Sequence, residues 1–148
     1  MTRVLVVDDE EGIRSLCRVN LELEGYDVIE ARDGQEAVDL ARNDAPDLIF
    51  LDIMMPHLDG WDALEQLKGD PKTAHIPIIM LTARTGEEDQ LRAWSGGVIE
   101  FLAKPFNPQR LAEWVERALT PRSADAEDER RQRVVEQLQQ LQELRRQQ

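Results

Sequence analysis

Side chains that can do chemistry stand at the ends of four apolar runs in this chain. In chain order they are Asp8 and Asp9, then Asp52, then Thr82, and last Lys104. Carboxylates bind divalent cations and can act as nucleophiles, whereas a hydroxyl and an amine can bind the oxygens of an anion. These residue types suit the transfer of a phosphoryl group to a carboxylate, provided that the fold brings them together.

Phosphoryl transfer would give each of these side chains a role. Neighbouring carboxylates repel one another, and a bound cation offsets that repulsion. An oxygen-rich site with few protein ligands suits Mg²⁺, which retains water and also binds phosphate oxygens. If Asp52 is the nucleophile, the metal, Lys104 and Thr82 can each neutralise one oxygen of the transferred group.

The apolar runs alternate with segments of helical periodicity, and this order predicts the fold. Strands are expected at residues 4–7, 27–31, 48–51, 78–81 and 98–102, and helices near residues 11–23, 34–43, 61–69, 86–95 and 111–119. Strands that alternate with helices indicate βαβ units and a doubly wound parallel sheet, which is an α/β fold. Because the carboxyl ends of parallel strands lie at one edge, the candidate residues should meet there.

Two of the predicted helices bear on how the site is supported. In the first helix, Cys17 falls with Leu16 and Leu21 on one apolar face, which favours core packing over a nucleophilic role. As the single cysteine, it also excludes an internal disulfide and favours a reducing compartment. The fourth helix, 86–95, has few apolar anchors and is expected to be the least securely packed.

Composition restricts the class of the protein and its partners. The 148 residues, 41% of them hydrophobic, suffice for one domain with one core. The formal net charge of −12 arises within residues 1–120, which argues against nucleic acid or an anionic membrane as a direct partner. The chain does not begin with a signal-peptide pattern, and no apolar run approaches the about 20 residues of a membrane span. A cytoplasmic location is therefore expected.

In their order and spacing, the candidate residues resemble the receiver domain of two-component response regulators. The matching positions are Asp8-Asp9, Asp52 with Met55-Pro56 and Gly60 behind it, Thr82-Ala83, and Lys104-Pro105-Phe106. Thr82 lies 30 residues beyond Asp52 and Lys104 lies 52 beyond it, which also fits that family. The resemblance covers about residues 2–120 and implies a (βα)5 flavodoxin-like sheet with the strand order 2-1-3-4-5.

The resemblance implies a phosphorylation site and a metal site. Asp52 would accept a phosphoryl group from the phosphohistidine of a sensor histidine kinase or a phosphotransfer protein. Asp9 and Asp52 would bind Mg²⁺, or Mn²⁺ in its place, together with the backbone carbonyl of Met54. Asp8 would act mostly through metal-bound water.

The resemblance also implies a switch. Lys104 would contact the phosphoryl group, and its peptide bond to Pro105 would be cis. Thr82 and Ala83 would bind the phosphate as Thr82 moves toward it, and Phe101 would then turn inward. The change would be read on the face of the fourth helix, fifth strand and fifth helix. The partner that recognises this face would be a downstream protein or, in a homodimer, a second copy of the chain.

Three positions, Ile99, Met54 and Arg84, bear on how this chain compares with the family pattern. Many receivers have an acid where this chain has Ile99, which follows Val98. The apolar pair either packs against the tail or a partner, or is an ordinary part of the strand. Met54 and Arg84 flank the expected path of an attacking water, so their bulk should slow loss of the phosphate.

Other functions were weighed against this reading. The chain is not expected to be an enzyme with a separate substrate, because a receiver catalyses only its own phosphorylation and slow dephosphorylation. A haloacid-dehalogenase-like aspartyl phosphatase needs a second Asp two residues after the first, and that position is Met54. A receiver-like scaffold that is never phosphorylated is the third reading, although all five site residues are intact. Helix capping by a single Asp does not account for Lys104 and Thr82 at two further strand ends.

Residues 1–120 would form the receiver domain, and residues 121–148 a helical tail. Thr120-Pro121 is expected to close one helix and begin another, with a helix from Ala124 onward. Self-association through a short coiled coil is the preferred interpretation of the tail, and a solvated helix or a helix docked on its own domain are the alternatives. The chain would be a stand-alone regulator or a receiver and linker of something longer. About two heptads support the coiled coil, through Val134, Leu138 and Leu141.

Overall fold

The computed structural model describes residues 1–55, 57–121 and 123–147. Pro56, part of the family motif, lies outside the described residues. The five strands are β1 (Arg3–Val7), β2 (Asp27–Ala31), β3 (Leu48–Leu51), β4 (Ile78–Thr82) and β5 (Glu100–Ala103). They form one parallel sheet in the order β2-β1-β3-β4-β5, which confirms the predicted fold class and strand order.

Helices follow the strands and cover both faces of the sheet. They are α1 (Glu11–Leu23), α2 (Gly34–Asp44), α3 (Gly60–Gly69), α4 (Glu87–Ser95), α5 (Leu111–Leu119) and α6 (Ala124–Arg146). A short 3₁₀ turn at Pro108–Arg110 leads into α5. One hydrophobic cluster joins the sheet to α1 and α5, and another joins it to α2, α3, α4 and one residue of α6. The sheet is therefore doubly wound.

The central strands β3 and β4 are buried along their whole length. Their side chains are apolar on both faces, as expected where helices pack on both sides of a parallel sheet. No side chain on these strands other than Thr82 carries a polar group. The polar residues just beyond the strands are consequently held against a rigid apolar support.

The fifth strand is shorter than predicted, because it begins at Glu100 rather than at Val98. The amide of Val98 donates to the carbonyl of Ala93 at 3.3 Å, so this residue closes α4 instead of extending the sheet. Ile99 donates to the carbonyl of Ile78 at 2.9 Å and leads into the strand. Val98, which is buried, and Ile99, which is partly buried, thus connect α4 to β5.

The inner face of α1 is narrower than predicted. Cys17 and Leu21 are fully buried, which confirms the core role of the thiol, but Leu16 is 42% exposed. Val19 and Leu23 are also exposed, one and two turns further along the same side of the helix. An apolar stripe of α1 therefore faces outward.

The C-terminal helix α6 packs against its own domain, which is one of the alternatives left open by the sequence. It begins at Ala124, where the hydroxyl of Ser123 accepts a hydrogen bond from the amide of Ala126 at 3.0 Å. Thr120-Pro121 therefore ends α5 without starting α6 directly. Among the described residues, no helix combines the length and apolar character needed to cross a membrane.

Candidate functional site

Asp8 and Asp52 lie side by side because β1 and β3 are adjacent in the sheet. Val7 pairs with Leu51, and the amide of Asp52 donates to the carbonyl of Val7 at 3.1 Å. Only 2% of Asp8 and 5% of Asp52 is exposed. Two carboxylates with so little surrounding water need a counter-charge to remain ionised together.

Lys104, which follows β5, supplies that counter-charge to both carboxylates. Its Nζ lies 2.5 Å from Oδ2 of Asp8 and 3.0 Å from Oδ2 of Asp52. Burial favours the neutral amine, but the two carboxylates outweigh it, so the pKa of Lys104 is raised above its ordinary value. The ammonium is therefore charged at neutral pH and joins the two acids.

Asp8 is the acid that burial affects most. Burial raises the pKa of Asp8 above its ordinary value, although Lys104 and the amide of Glu10 donate hydrogen bonds to it. The negative charge of Asp52 raises this pKa further. A divalent cation at this edge would oppose both effects, because it stabilises the ionised carboxylate.

An acidic cluster beside this pair could hold a metal ion. One carboxylate oxygen from each of Asp8, Asp9 and Glu10 lies within 4.8 Å of the other two. Asp9 and Glu10 are exposed, so the cluster is open to solvent. Carboxylate oxygens are the ligands that Mg²⁺ and Mn²⁺ prefer, and the donor set fits either ion.

The cluster shares Asp8 and Asp9 with the predicted ligand set and adds Glu10. Glu10 takes part, whereas Asp52 is joined to Asp8 through Lys104 and is not part of the cluster. Glu10 directly precedes α1, and its side chain makes no capping hydrogen bond. The available signal was the unbroken acidic run from Asp8 to Glu11.

Met54 and its neighbours form the wall of an open cleft at the same edge. The amide of Met54 donates to Oδ1 of Asp52 at 3.3 Å, while its side chain is 58% exposed. No carboxylate occupies this position, where a phosphatase of the rival class would need one. The cleft has a volume of about 530 Å³ and is lined by Asp9, Ile53, Met54, Met55, Asp59 and Arg84.

Gly60 holds the backbone of Asp52 in place. Its amide donates to the carbonyl of Ile53 at 2.8 Å, and it opens α3. A Cβ atom at this position would overlap the carbonyl oxygen of Asp52 and the backbone of Ile53. The glycine is therefore needed for close approach between the start of α3 and the loop after β3.

Thr82 ends β4 and is fully buried. Its Oγ1 accepts a hydrogen bond from the amide of Arg84 at 3.2 Å, and its carbonyl accepts one from the amide of Lys104 at 2.9 Å. Arg84 in turn pairs with Asp89 of α4 at 2.9 Å, while Ala83 is exposed. The threonine is thus connected both to the site and to the first turn of α4.

Phe101 and Pro105 occupy β5 and the loop that follows it. Phe101 pairs with Met80 in the sheet and is partly buried against the cluster beneath α2, α3 and α4. The peptide bond between Lys104 and Pro105 is cis, as the resemblance implied. The predicted site residues therefore lie at the carboxyl edge of the sheet, apart from Phe101, which lies within β5.

Comparison with known protein families identifies the domain. The family model described as "Response regulator receiver domain" matches residues 4–116 of the chain. That span covers every residue of the site described above. The assignment agrees with the fold, the strand order and the positions of the acids.

Curated relatives share this part of the chain. The DNA-binding dual master transcriptional regulator RpaA of Synechocystis is 41% identical over 111 residues, which are 75% of this chain and 46% of RpaA. The alkaline phosphatase synthesis transcriptional regulatory protein PhoP of Bacillus subtilis is 45% identical over 109 residues, 74% of this chain and 45% of PhoP. The chain thus spans less than half the length of either relative.

Solved structures extend the likeness to the whole fold. The chemotaxis protein CheY4 of Vibrio cholerae superposes with a TM-score of 0.76 at 34% identity, over 80% of this chain and 99% of CheY4. The alignment leaves a fifth of this chain without a counterpart, whereas nearly all of CheY4 is matched.

Proposed function

The chain belongs to the response regulator receiver family, and we propose on this basis that Asp52 is its phosphoryl acceptor. The observation that carries the proposal is the setting of this carboxylate at the sheet edge. One carboxylate oxygen of Asp52 pairs with the ammonium of Lys104, and the other accepts a hydrogen bond from the amide of Met54. The side chain is thereby held in one orientation beside an open cleft.

The transfer requires little of the protein besides positioning and charge. An oxygen of Asp52 attacks the phosphorus atom of a phosphohistidine, the bond from phosphorus to the imidazole nitrogen breaks, and an acyl phosphate forms. Lys104, already within 3.0 Å of Asp52, neutralises charge on the transferred group. The imidazole leaves with the electron pair of the broken bond and takes a proton from water.

The residues at this edge would also hold Mg²⁺, or Mn²⁺. Asp9, Asp52 and the backbone carbonyl of Met54 are the proposed ligands, with Asp8 and Glu10 beside them. When bound, the ion supplies positive charge to the phosphoryl oxygens. In its absence, Lys104 is the cation that the structure places against Asp8 and Asp52.

Thr82 is the proposed sensor of the phosphoryl group. Phosphorylation adds negative charge and acceptor oxygens at Asp52, to which the hydroxyl of Thr82 can donate. That movement would break the hydrogen bond that Oγ1 of Thr82 accepts from Arg84. Phe101 would turn inward in response, so that the surface of α4, β5 and α5 acquires a second state.

The donor is a sensor histidine kinase or a phosphotransfer protein. Transfer from either donor would take place in the cytoplasm, so a cytoplasmic location is part of the proposal. The exposed stripe of α1, formed by Leu16, Val19 and Leu23, gives such a donor an apolar surface on the helix that begins at the acidic cluster. Charge substitution on this stripe should slow transfer from the donor and leave phosphorylation by a small phosphodonor unchanged.

The output is a protein partner, or a second copy of the chain, on the surface of α4, β5 and α5. RpaA and PhoP are named as transcriptional regulators and are about twice as long as the matched region. The receiver itself catalyses its own phosphorylation and a slow dephosphorylation, with no other substrate.

The direct test is incubation of the chain with acetyl phosphate and Mg²⁺, followed by intact mass measurement under conditions that preserve acyl phosphates. We expect the mass of one added phosphoryl group in the native sequence, none in Asp52→Asn, and none when the metal is chelated. Equal labelling of Asp52→Asn would overturn the proposal.

A further inference from the structure

The helix α6 lies on its own receiver domain, and one face of the helix packs against the surface of that domain. Leu138 is 8% exposed and belongs to the same core cluster as α2, α3 and α4. Val134 and Val135 pack against this cluster from the preceding turn. The inward positions recur every three to four residues, which is the spacing of one helix face. Among the described residues of α6, those that are not exposed are Glu127, Arg130, Arg131, Val134, Val135, Leu138 and Gln142.

Arg130 makes the most specific of these contacts. Its Nη1 donates to the carbonyl of Ile99 at 2.7 Å, and its Nη2 lies 2.8 Å from Oε2 of Glu100. The same guanidinium stands 5.2 Å from the ring centroid of Trp94, a cation–π distance. Trp94 belongs to α4, whereas Ile99 directly precedes β5 and Glu100 is the first residue of β5. One side chain of α6 therefore contacts both elements at once.

We name the surface beneath α6 the α6-binding surface and define it by Glu87, Trp94, Ile99 and Glu100. At its far end, Arg145 of α6 pairs with Glu87 at the start of α4, at 2.7 Å. The surface thus offers two carboxylates, one carbonyl and one aromatic ring. Its chemistry fits an amphipathic helix that carries arginines beside a short apolar stripe.

Some contacts of α6 disfavour its docking on the domain. Nη1 of Arg131 pairs with Asp128 at 3.2 Å, but Nε of the same guanidinium is buried and has no hydrogen-bond partner among the described residues. Arg131 faces Lys68 of α3, whose pKa is lowered to about 8, mainly by burial and further by this neighbouring cation. Burying an unpaired donor beside a like charge costs free energy. These features favour a helix that can be released.

The α6-binding surface is connected to the phosphorylation site. The hydrogen bond from Arg84 to Thr82 and the ion pair from Arg84 to Asp89 link the end of β4 to α4. On the other side, Glu100 directly precedes Phe101 in β5. Since Arg130 is fixed to both α4 and β5, a shift of one element against the other breaks at least one of its contacts.

We propose that the α6-binding surface is a receptor for an arginine-bearing amphipathic helix, that α6 of the same chain is its resident ligand, and that phosphorylation of Asp52 releases α6. The coupling to phosphorylation rests on the proposed function. By thermodynamic reciprocity, release of α6 must also favour the activated state of Asp52. A target that reads this face competes with α6.

The receptor is tested without activation, by amide exchange in Arg130→Gln and in the matched control Arg133→Gln. Both variants remove one positive charge from α6, but Arg133 is exposed. Loss of the charged contacts of Arg130 should raise exchange of the α6 amides about tenfold or more, while Arg133→Gln behaves as the native chain. Equal exchange in the two variants would overturn the proposal.

The coupling is tested in the native chain, residues 1–148, with beryllofluoride and Mg²⁺. We expect faster exchange across α6 on activation, and an affinity of Arg130→Gln for beryllofluoride that is about fivefold or more above that of Arg133→Gln. Binding of beryllofluoride with unchanged exchange in α6 would overturn the coupling alone. Absence of binding would overturn the proposed function and the coupling with it, while the result for Arg130→Gln in the unactivated chain still decides the receptor. A dimer whose α6 stays protected through a partner copy would contradict occupancy by the same chain.

Discussion

The charge balance of the site depends on the ammonium group of Lys104. Asp8 and Asp52 share it, at 2.5 and 3.0 Å, and all three side chains are at least four-fifths buried. The net charge of this trio is negative, and the exposed Asp9 and Glu10 add to it. The acidic edge is therefore electrostatically unfavourable, and a divalent cation at the proposed site would offset both this charge and the charge of an incoming phosphoryl group.

Asp8→Asn should raise the stability of the metal-free chain at neutral pH. Because the pKa of Asp8 is raised above the ordinary value of 3.8, the folded state binds more protons than the unfolded state between these two pKa values. Stability therefore falls as pH rises through that window, and the amide removes this slope. The gain at neutral pH grows with the amount by which burial raises this pKa in the folded chain.

Urea unfolding between about pH 4 and pH 7, without divalent ions, measures this effect. Asp9→Asn is the matched control, because Asp9 is exposed and its substitution should leave the slope near that of the native chain. A pH dependence in Asp8→Asn as steep as in the native chain would show that burial of this carboxyl is not its cause.

Cys17 should be inert to thiol reagents while the chain is folded. The side chain is fully buried, and burial raises the pKa of the thiol to about 12. Thiolate is the reactive form, so labelling at neutral pH has to await opening of α1. Labelling rates that increase with urea in parallel with unfolding would support this account, whereas immediate labelling of the native chain would contradict it.

Among the elements, the strands beside the site were the most predictable. β2 and β3 have the bounds that alternation and an unbroken apolar run predicted, because burial on one or both faces leaves a clear pattern. β5 was predicted two residues too early, since Val98 is as apolar as a strand residue yet closes α4. The pattern of apolar residues alone does not distinguish a buried strand residue from a buried residue that closes a helix.

The docking of α6 could not be chosen from the sequence. Its inner face has only three apolar side chains among arginines, which is also the composition of a solvated helix or a short coiled coil. Its contacts are to α4 and to the start of β5, and α4 was expected to be weakly packed because it has few apolar anchors of its own. The predicted heptad is divided by the structure: Val134 and Leu138 face the domain, while Leu141 is 45% exposed.

Truncation of Leu138 should destabilise the chain, and truncation of Leu144 should not. Leu138 is 8% exposed and lies in the core cluster, so Leu138→Ala should cost about 2 kcal/mol or more. Leu144, on the same helix, is 58% exposed, and its substitution should stay within about 0.5 kcal/mol. Chemical denaturation of both variants decides the matter, and equal midpoints would mean that α6 does not contribute to the folded core.

Gly60→Ala should impair the site, whereas Gly12→Ala should not. The added methyl group at Gly60 meets the backbone of Asp52 and Ile53, which must move and carry the acceptor with them. Gly12 lies in α1 with open space around its Cα, and alanine there should stabilise the helix by about 0.5 to 1 kcal/mol. Phosphorylation rates with acetyl phosphate and unfolding midpoints are the measurements. Loss of rate in Gly12→Ala as large as in Gly60→Ala would refute this role.

For the molecule as a whole, the site and the output surface are joined through short connections. Thr82, Arg84 and Asp89 link the end of β4 to α4, and α6 then covers α4 and the start of β5. A change of charge at Asp52 therefore has a continuous route to the tail. The proposed function and the proposed release of α6 together imply two states, which would differ in the charge at the sheet edge and in the position of α6.

The most direct measurement is residue-level mapping of the phosphoryl group. The chain is exposed to acetyl phosphate and Mg²⁺, digested under conditions that preserve acyl phosphates, and the peptides that carry Asp8, Asp9 and Asp52 are fragmented. The account predicts one phosphoryl group, located on Asp52 and absent when the metal is chelated. A phosphoryl group on any other residue, or none on Asp52 with any phosphodonor, would contradict it.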